Sequence, residues 1–142
     1  MTKNKSKSKM EITGIVLVLL MVLLQGFYGV FALVDAAAFS NIRGTELFSA
    51  NDSDWVKIYG SRTVFISLIL AYLLYVRNYS VLMWCALLGT IMPITDGLLA
   101  YEAQAPLKVT LKHLATIAYL VVTFVVLRKV VTENDKQHGL NH

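Results

Sequence analysis

The 142-residue chain is too apolar for a water-soluble domain: 56% of its residues are hydrophobic, 15% are charged, and its mean hydropathy is +0.60. Soluble domains carry about 25% charged residues. The net charge of +4 is therefore expected to orient the chain in a lipid bilayer, and no nucleic-acid partner is expected. The chain has one cysteine, Cys85, which excludes an intrachain disulfide and a C-x-x-C redox motif.

The N-terminus separates into a basic segment and an apolar one. Residues 1–10 are polar and rich in lysine, with no apolar face to bury, so we expect them to be disordered. The apolar segment at about 12–34 is longer than the roughly 7 to 15 apolar residues of a signal peptide and matches the length of a spanning helix. Cleavage of a signal peptide after Ala36-Ala37-Ala38 is the alternative.

Three further apolar segments, at about 56–76, 81–101 and 108–128, are each long enough to cross a bilayer. Because only residues 77–80 separate the second segment from the third, these two helices must be antiparallel neighbours. We predict an all-α protein, an integral membrane four-helix antiparallel bundle over residues 11–129 with a polar tail at 130–142. Residues 36–56 form the long connection, in which residues 51–54 are expected to cap a helix starting near Trp55.

The basic residues are distributed unevenly between the two sides of this bundle. One side carries the four lysines of the N-terminus, Arg77, Arg128, Lys129 and Lys136, and the other carries Arg43, Lys57, Lys108 and Lys112. Cytoplasmic segments of membrane proteins are enriched in Lys and Arg. Both termini are therefore predicted to be cytoplasmic.

Asp96 is the residue in these apolar segments whose charge is hardest to accommodate. A carboxylate in hydrocarbon costs from a few to about 10 kcal/mol, so it usually faces a partner or a wet cavity. A rise of about 1.5 Å per residue places Arg62 of the second segment and His113 of the fourth at the depth of Asp96. We therefore expect Arg62 to pair with Asp96, and His113 to lie beside them.

Two further features predict a pocket at the extracytoplasmic end of the bundle. Gln25 and Tyr28 lie at helical spacing on the first segment and can line one face. Pro93 has no amide hydrogen and leaves the carbonyl of Gly89 without its helical donor, so the third helix should kink there. The kink would widen the bundle on the outer side, near Asp96.

The motifs Tyr59-Gly60-x-Arg62, Asp96-Gly97 and His113 resemble those of the DoxX-like small four-helix membrane proteins, and most closely an uncharacterised bacterial and fungal family in that group. The similarity extends from about Gly14 to Leu127. It implies a four-helix bundle and favours a multi-pass protein of a bacterial plasma membrane. The group contains redox-complex subunits, assembly factors and cargo receptors, so the resemblance implies no single reaction.

Two functions remain open. In the first, the pocket binds or converts a small amphipathic molecule such as a quinone, a lipid or an isoprenoid. Asp96 and His113 would then be catalytic, because imidazole titrates near neutral pH and a carboxylate can orient it. The residues expected to bind the ligand are Arg62, Tyr28, Gln25 and Tyr59.

In the second, the protein is a non-catalytic subunit or assembly factor. The polar residues would then be structural, and the outer helix faces would bind a membrane protein or a second copy of the chain. In both cases the lipid bilayer surrounds the bundle. Because His113 is the one histidine of the apolar segments, we expect no metal and no haem or other cofactor.

Overall fold

The computed structural model describes residues 9–43, 47, 49 and 51–139, with residues 137–139 described by their backbone alone. Within these ranges every regular element is a helix, which confirms the all-α prediction. The helices are α1 (Lys9–Val34), α2 (Ala36–Arg43), α3 (Asp52–Tyr75), α4 (Tyr79–Leu88), α5 (Ile91–Glu102) and α6 (Leu107–Gly139). Of residues 1–10, which were predicted to be disordered, residues 1–8 lie outside the described residues, whereas Lys9 and Met10 begin α1. The end of the tail, residues 140–142, also lies outside the described residues.

Four stretches of the described chain are long and apolar enough to cross a membrane. They are Lys9–Val34, Asp52–Tyr75, Tyr79–Glu102 and Leu107–Lys136. The protein is therefore a small multi-pass membrane protein with the expected four-helix architecture. The side on which its termini lie stays a prediction.

Helix α2 lies in the segment that the sequence indicated only as a long connection. The carboxylate of Asp35 accepts a hydrogen bond from the Ala38 amide at 2.9 Å, which caps the first turn of α2. Phe39, only 2% exposed, buries α2 against the bundle, where it packs on α1 and α3. The cap predicted for the next helix differs from the structure, because Asn51 makes no side-chain hydrogen bond to α3.

The third span is broken between α4 and α5, as the position of Pro93 predicted. Because Pro93 cannot donate a hydrogen bond, the carbonyl of Gly89 accepts one from the Met92 amide at 3.2 Å. The hydroxyl of Thr90 donates to the carbonyl of Leu87 at 2.7 Å, which satisfies a second backbone acceptor at the break. Asp96 lies on α5, directly beyond this break.

Helix α3 packs most extensively along α1, and glycines bring the two backbones together. A Cβ atom placed on Gly60 would lie 2.8 Å from the carbonyl oxygen of Gly29. Further along the same interface, the Ser67 hydroxyl donates to the carbonyl of Val22 at 2.8 Å. These contacts show that α1 and α3 pack closely at Gly29, Gly60 and Ser67.

The end of the bundle opposite α2 is filled by side chains. Its buried core includes Val18, Leu82, Leu127 and Val130, and the Tyr79 hydroxyl donates to the Glu11 carboxylate at 3.0 Å. Helix α6 contributes to this core and also contacts α1, α4 and α5. The bundle is therefore densely packed at this end.

Replacing Gly60 with alanine should lower the free energy of unfolding by about 1–3 kcal/mol, because the new methyl group meets a backbone carbonyl that cannot rotate away. Gly14→Ala is the matched control, since its Cβ would meet the flexible Cδ2 of Leu127 at 3.2 Å. Thermal unfolding of both variants in the same detergent measures the difference. Equal loss in the two variants would contradict this account of the α1–α3 interface.

Candidate functional site

A cavity of about 400 Å³ lies between α1, α5 and α6, and α2 closes one end of it. Its lining includes all the residues proposed from the sequence except Arg62, namely Gln25, Tyr28, Tyr59, Asp96 and His113. The cavity therefore brings together side chains from four helices. Phe39, Arg43, Lys112 and Tyr119 also line the cavity and were not foreseen as site residues.

The partner of Asp96 is Arg43, the last residue of α2. Its guanidinium Nη2 donates to Asp96 Oδ1 in an ion pair whose side chains are 21% and 25% exposed. The prediction that Arg62 pairs with Asp96 was wrong. The depth estimate indicated Arg62, which lies on a spanning helix, and did not consider Arg43, which lies on α2.

Arg62 points away from the site for a reason that lies in the helix geometry. The buried face of α3 includes Gly60 and Thr63 and packs on α1, so Arg62 falls on the exposed side. Within the described part of the chain, Arg62 forms no ion pair or hydrogen bond and does not line the cavity. A role for Arg62 in binding a ligand of this cavity is therefore not supported by its position.

Aromatic rings hold the guanidinium of Arg43 in place. Its Cζ lies 4.7 Å from the ring centroid of Tyr59 and 5.6 Å from that of Phe39. The Phe39 ring in turn contacts those of Tyr59, at 5.5 Å between centroids, and Tyr28, at 6.1 Å. Each cation–π contact is worth about 0.5–2 kcal/mol, so together they restrain both the arginine and helix α2.

Lys112 forms a second connection between α2 and the rest of the bundle. Its Nζ donates to the carbonyl of Ile42 at 3.3 Å, near the C-terminal end of α2, where carbonyl groups have no helical donor. Ile42 is the residue next to Arg43, so the Lys112 ammonium lies near the end of α2 that carries the guanidinium. Helix α2 is thus tied to α5 through Arg43 and to α6 through Lys112.

His113 is buried, with 7% of its surface exposed, yet it keeps free hydrogen-bonding capacity. A Cβ atom on Gly97 would lie 3.3 Å from His113 Cβ, so the glycine allows α5 and α6 to pack closely here. Among the described residues none is hydrogen-bonded to the imidazole, including Asp96, which pairs with Arg43. The same part of the chain has no fully buried polar side-chain atom without a partner, so the ring nitrogens are reached from the cavity.

Only part of this arrangement had a signal in the sequence. Phe39 and Arg43 are four residues apart, which places them on the same face of a helix. Since a large aromatic residue such as Phe39 is expected to face the bundle, this spacing could have indicated that Arg43 faces it too. Nothing in the spacing of Lys112 indicated its contact with α2. Across the described residues, no group of three His, Cys, Asp or Glu side chains is arranged to bind a metal ion.

Four apolar spans, with a cavity between them and a short helix at one end of it, are typical of a small multi-pass membrane protein. The chain belongs to the family described as "Domain of unknown function (DUF4267)", whose model matches residues 20–127. Every cavity residue named above lies within the matched range. A search of the curated proteins and a search of the solved structures found no match.

Breaking the ion pair should destabilise the bundle by removing the partner of a half-buried charge. We expect Arg43→Met and Asp96→Asn each to cost about 1–3 kcal/mol and the double variant to cost less than their sum, by about 1 kcal/mol or more. A double-mutant cycle on thermal unfolding measures this coupling. Arg62→Met, the matched control, should change stability by less than about 0.5 kcal/mol.

Strict additivity of the two single substitutions would show that Arg43 and Asp96 do not stabilise each other. A cycle in which Arg62, and not Arg43, couples to Asp96 would contradict the placement of α2.

Proposed function

We propose that the protein binds a small amphipathic molecule, such as a quinone, a lipid or an isoprenoid, in the cavity beneath α2. One observation carries this proposal: a cavity of about 400 Å³ whose charged groups are gathered where α2 meets α5 and α6. Pockets for small molecules commonly have volumes of about 300–1,000 Å³, with apolar walls and a few polar groups that orient the ligand.

The walls of the cavity suit such a ligand. Met21 and Leu24 of α1, Met92 of α5 and Leu120 of α6 supply an apolar lining. An alkyl or isoprenyl chain would replace water along these side chains, which favours binding by about 25 cal/mol for each Å² of apolar surface buried.

Several polar groups on the cavity wall remain available to a ligand. The side chains of Gln25, Tyr28 and Tyr59 make no hydrogen bond to any described residue, and they line the cavity together with His113. In a membrane bundle such groups usually bond across helices, because an unsatisfied polar group in hydrocarbon is costly. Their exposure to one shared cavity supports a role in holding the polar end of a ligand.

Conversion of the ligand would require proton transfer, and His113 is the residue best placed for it. Its imidazole can donate and accept protons near neutral pH, and its nitrogens face the cavity. Asp96 would support the reaction through its charge, since its Oδ1 is engaged by Arg43. In this form of the proposal the protein is an enzyme, and in the simpler form it is a carrier or sensor of the ligand.

The alternative is a non-catalytic subunit or assembly factor, and one observation favours it. The Arg43–Asp96 pair and the bond from Lys112 to Ile42 already fasten α2 to the bundle without any ligand. In this case the polar residues maintain the shape of the protein. A membrane protein partner or a second copy of the chain would then bind the outer helix faces.

We also propose that the family is related to the DoxX-like group and that the protein lies in a bacterial plasma membrane with both termini in the cytoplasm. The four-span architecture supports this relation, as does the position of Asp96 and His113 on one cavity. The uneven distribution of basic residues supports the orientation.

Filling the cavity should abolish ligand retention without unfolding the bundle. Ala115 and Ala118 are both exposed alanines of α6, but only Ala115 lines the cavity. We expect native mass spectrometry of the purified protein to show a bound small molecule that is lost in Ala115→Phe and kept in Ala118→Phe. Ligand-free wild-type protein, gently extracted from its own membrane, would contradict the proposal and favour the assembly factor.

His113→Gln should separate binding from proton transfer, because glutamine can replace only part of the hydrogen bonding of imidazole and cannot titrate. The variant should fold, with a loss of at most about 1–2 kcal/mol. If the ligand is converted, the variant should retain or bind it but fail to complement a deletion strain between about pH 5 and 8. Full complementation across this range would exclude proton chemistry at His113.

A further inference from the structure

We infer that the ligand of this cavity carries an anionic head group, a carboxylate or a phosphate, that binds at Lys112 and Arg43. This inference rests on the proposed function, since it requires that the cavity be occupied by an amphipathic molecule. It adds the charge of the head group, which the size and apolar walls of the cavity do not determine.

The charges around the closed end of the cavity do not balance. Arg43 and Lys112 each carry one positive charge, and Asp96, the acidic residue among the described cavity residues, carries one negative charge. With His113 neutral, the described lining therefore has one positive charge in excess. A charge removed from bulk water is costly unless an opposite charge matches it, so a ligand that brings one negative charge is favoured.

The positive groups also have hydrogen-bond donors to spare. Arginine has five N–H donors, and Arg43 uses one nitrogen, Nη2, for its bond to Asp96. Lysine has three donors, and Lys112 uses one for the carbonyl of Ile42. Carboxylate and phosphate oxygens form the strongest hydrogen bonds with such cationic donors.

The surroundings of Arg43 favour an anion that adds to the existing pair over one that replaces Asp96. The rings of Tyr59 and Phe39 lie within 4.7 and 5.6 Å of its Cζ and restrain the guanidinium. Lys112 Nζ lies 3.3 Å from the carbonyl oxygen of Ile42, the residue next to Arg43, so an anion beside Lys112 is close to Arg43 as well. The excess positive charge would repel a cationic amphiphile.

The test uses three ligands with the same ten-carbon chain and different head groups: decanoate, decanol and decylamine. Their binding to delipidated protein in neutral detergent at pH 7 is measured by competition with a fluorescent fatty acid and by thermal shift. Decanoate should bind at least about tenfold more tightly than decanol, the difference expected for one charge-assisted hydrogen bond, and decylamine should bind most weakly.

Variants of Lys112 locate the source of this preference. Lys112→Gln should reduce the preference for decanoate over decanol by about tenfold, whereas Lys112→Arg should keep it. Lys108→Gln removes the same charge from an exposed residue on α6 that does not line the cavity, so the preference should stay at its wild-type value. Unchanged binding of decanol to Lys112→Gln would show that this variant is folded, so that a lost preference for decanoate reflects the missing charge.

Two sources can supply an anion of this kind, a free fatty-acid-like molecule or a phosphate-bearing lipid of the bilayer. In nanodiscs of phosphatidylcholine, added phosphatidylglycerol should weaken decanoate binding if the bilayer lipid is the natural occupant, and should leave it unchanged if it is not. Equal binding of the three ligands, or no effect of Lys112→Gln, would overturn the anionic head group while leaving an amphipathic ligand in place. Binding of none of the three, with no molecule retained in native mass spectrometry, would overturn both proposals.

Discussion

The ion pair between Arg43 and Asp96 is the interaction on which the site depends. A carboxylate on an apolar helix needs a partner, and the partner comes from α2, a short helix outside the four spans. This pairing holds α2 across the end of the bundle, where Phe39 is buried and stacks near Tyr28 and Tyr59. Helix α2 contributes Phe39 and Arg43 to the cavity, and they contact aromatic and charged side chains of the other helices there.

The cavity exists because the bundle is packed unevenly along its length. Gly29 and Gly60 bring the backbones of α1 and α3 together, and a core of aliphatic side chains fills the end opposite α2. The third span, in contrast, breaks at Gly89 and Thr90, before Pro93, so that α4 and α5 are separate helices. Close packing on one side and a break on the other leave space between α1, α5 and α6, and this space contains the polar side chains.

The family to which the chain belongs is described without a function. The side chains that line the cavity therefore indicate the function best. The contacts of Arg43 and Lys112 that hold α2 in place would suit a purely structural role. They do not account for Gln25, Tyr28 and His113, whose polar groups face the cavity and form no hydrogen bond with any described residue. These groups are accessible from the cavity, so a bound molecule could form hydrogen bonds with them. The excess positive charge beside them would favour a molecule with an anionic head group.

Residue pattern alone determined the four spans, the break near Pro93 and five of the side chains that line the cavity, because hydrophobic length and helical periodicity are local properties of the chain. The partner of Asp96 was decided by the tertiary structure. Rise per residue places Arg62 and Asp96 at similar depth, but depth does not specify the direction in which a side chain points around the helix axis. The face of α3 that contains Gly60 packs against α1, and Arg62 is exposed on the other side of the helix. Arg43 of α2 forms the ion pair with Asp96. Which helix faces meet depends on how all the helices pack together, and the sequence of any one helix does not contain that information.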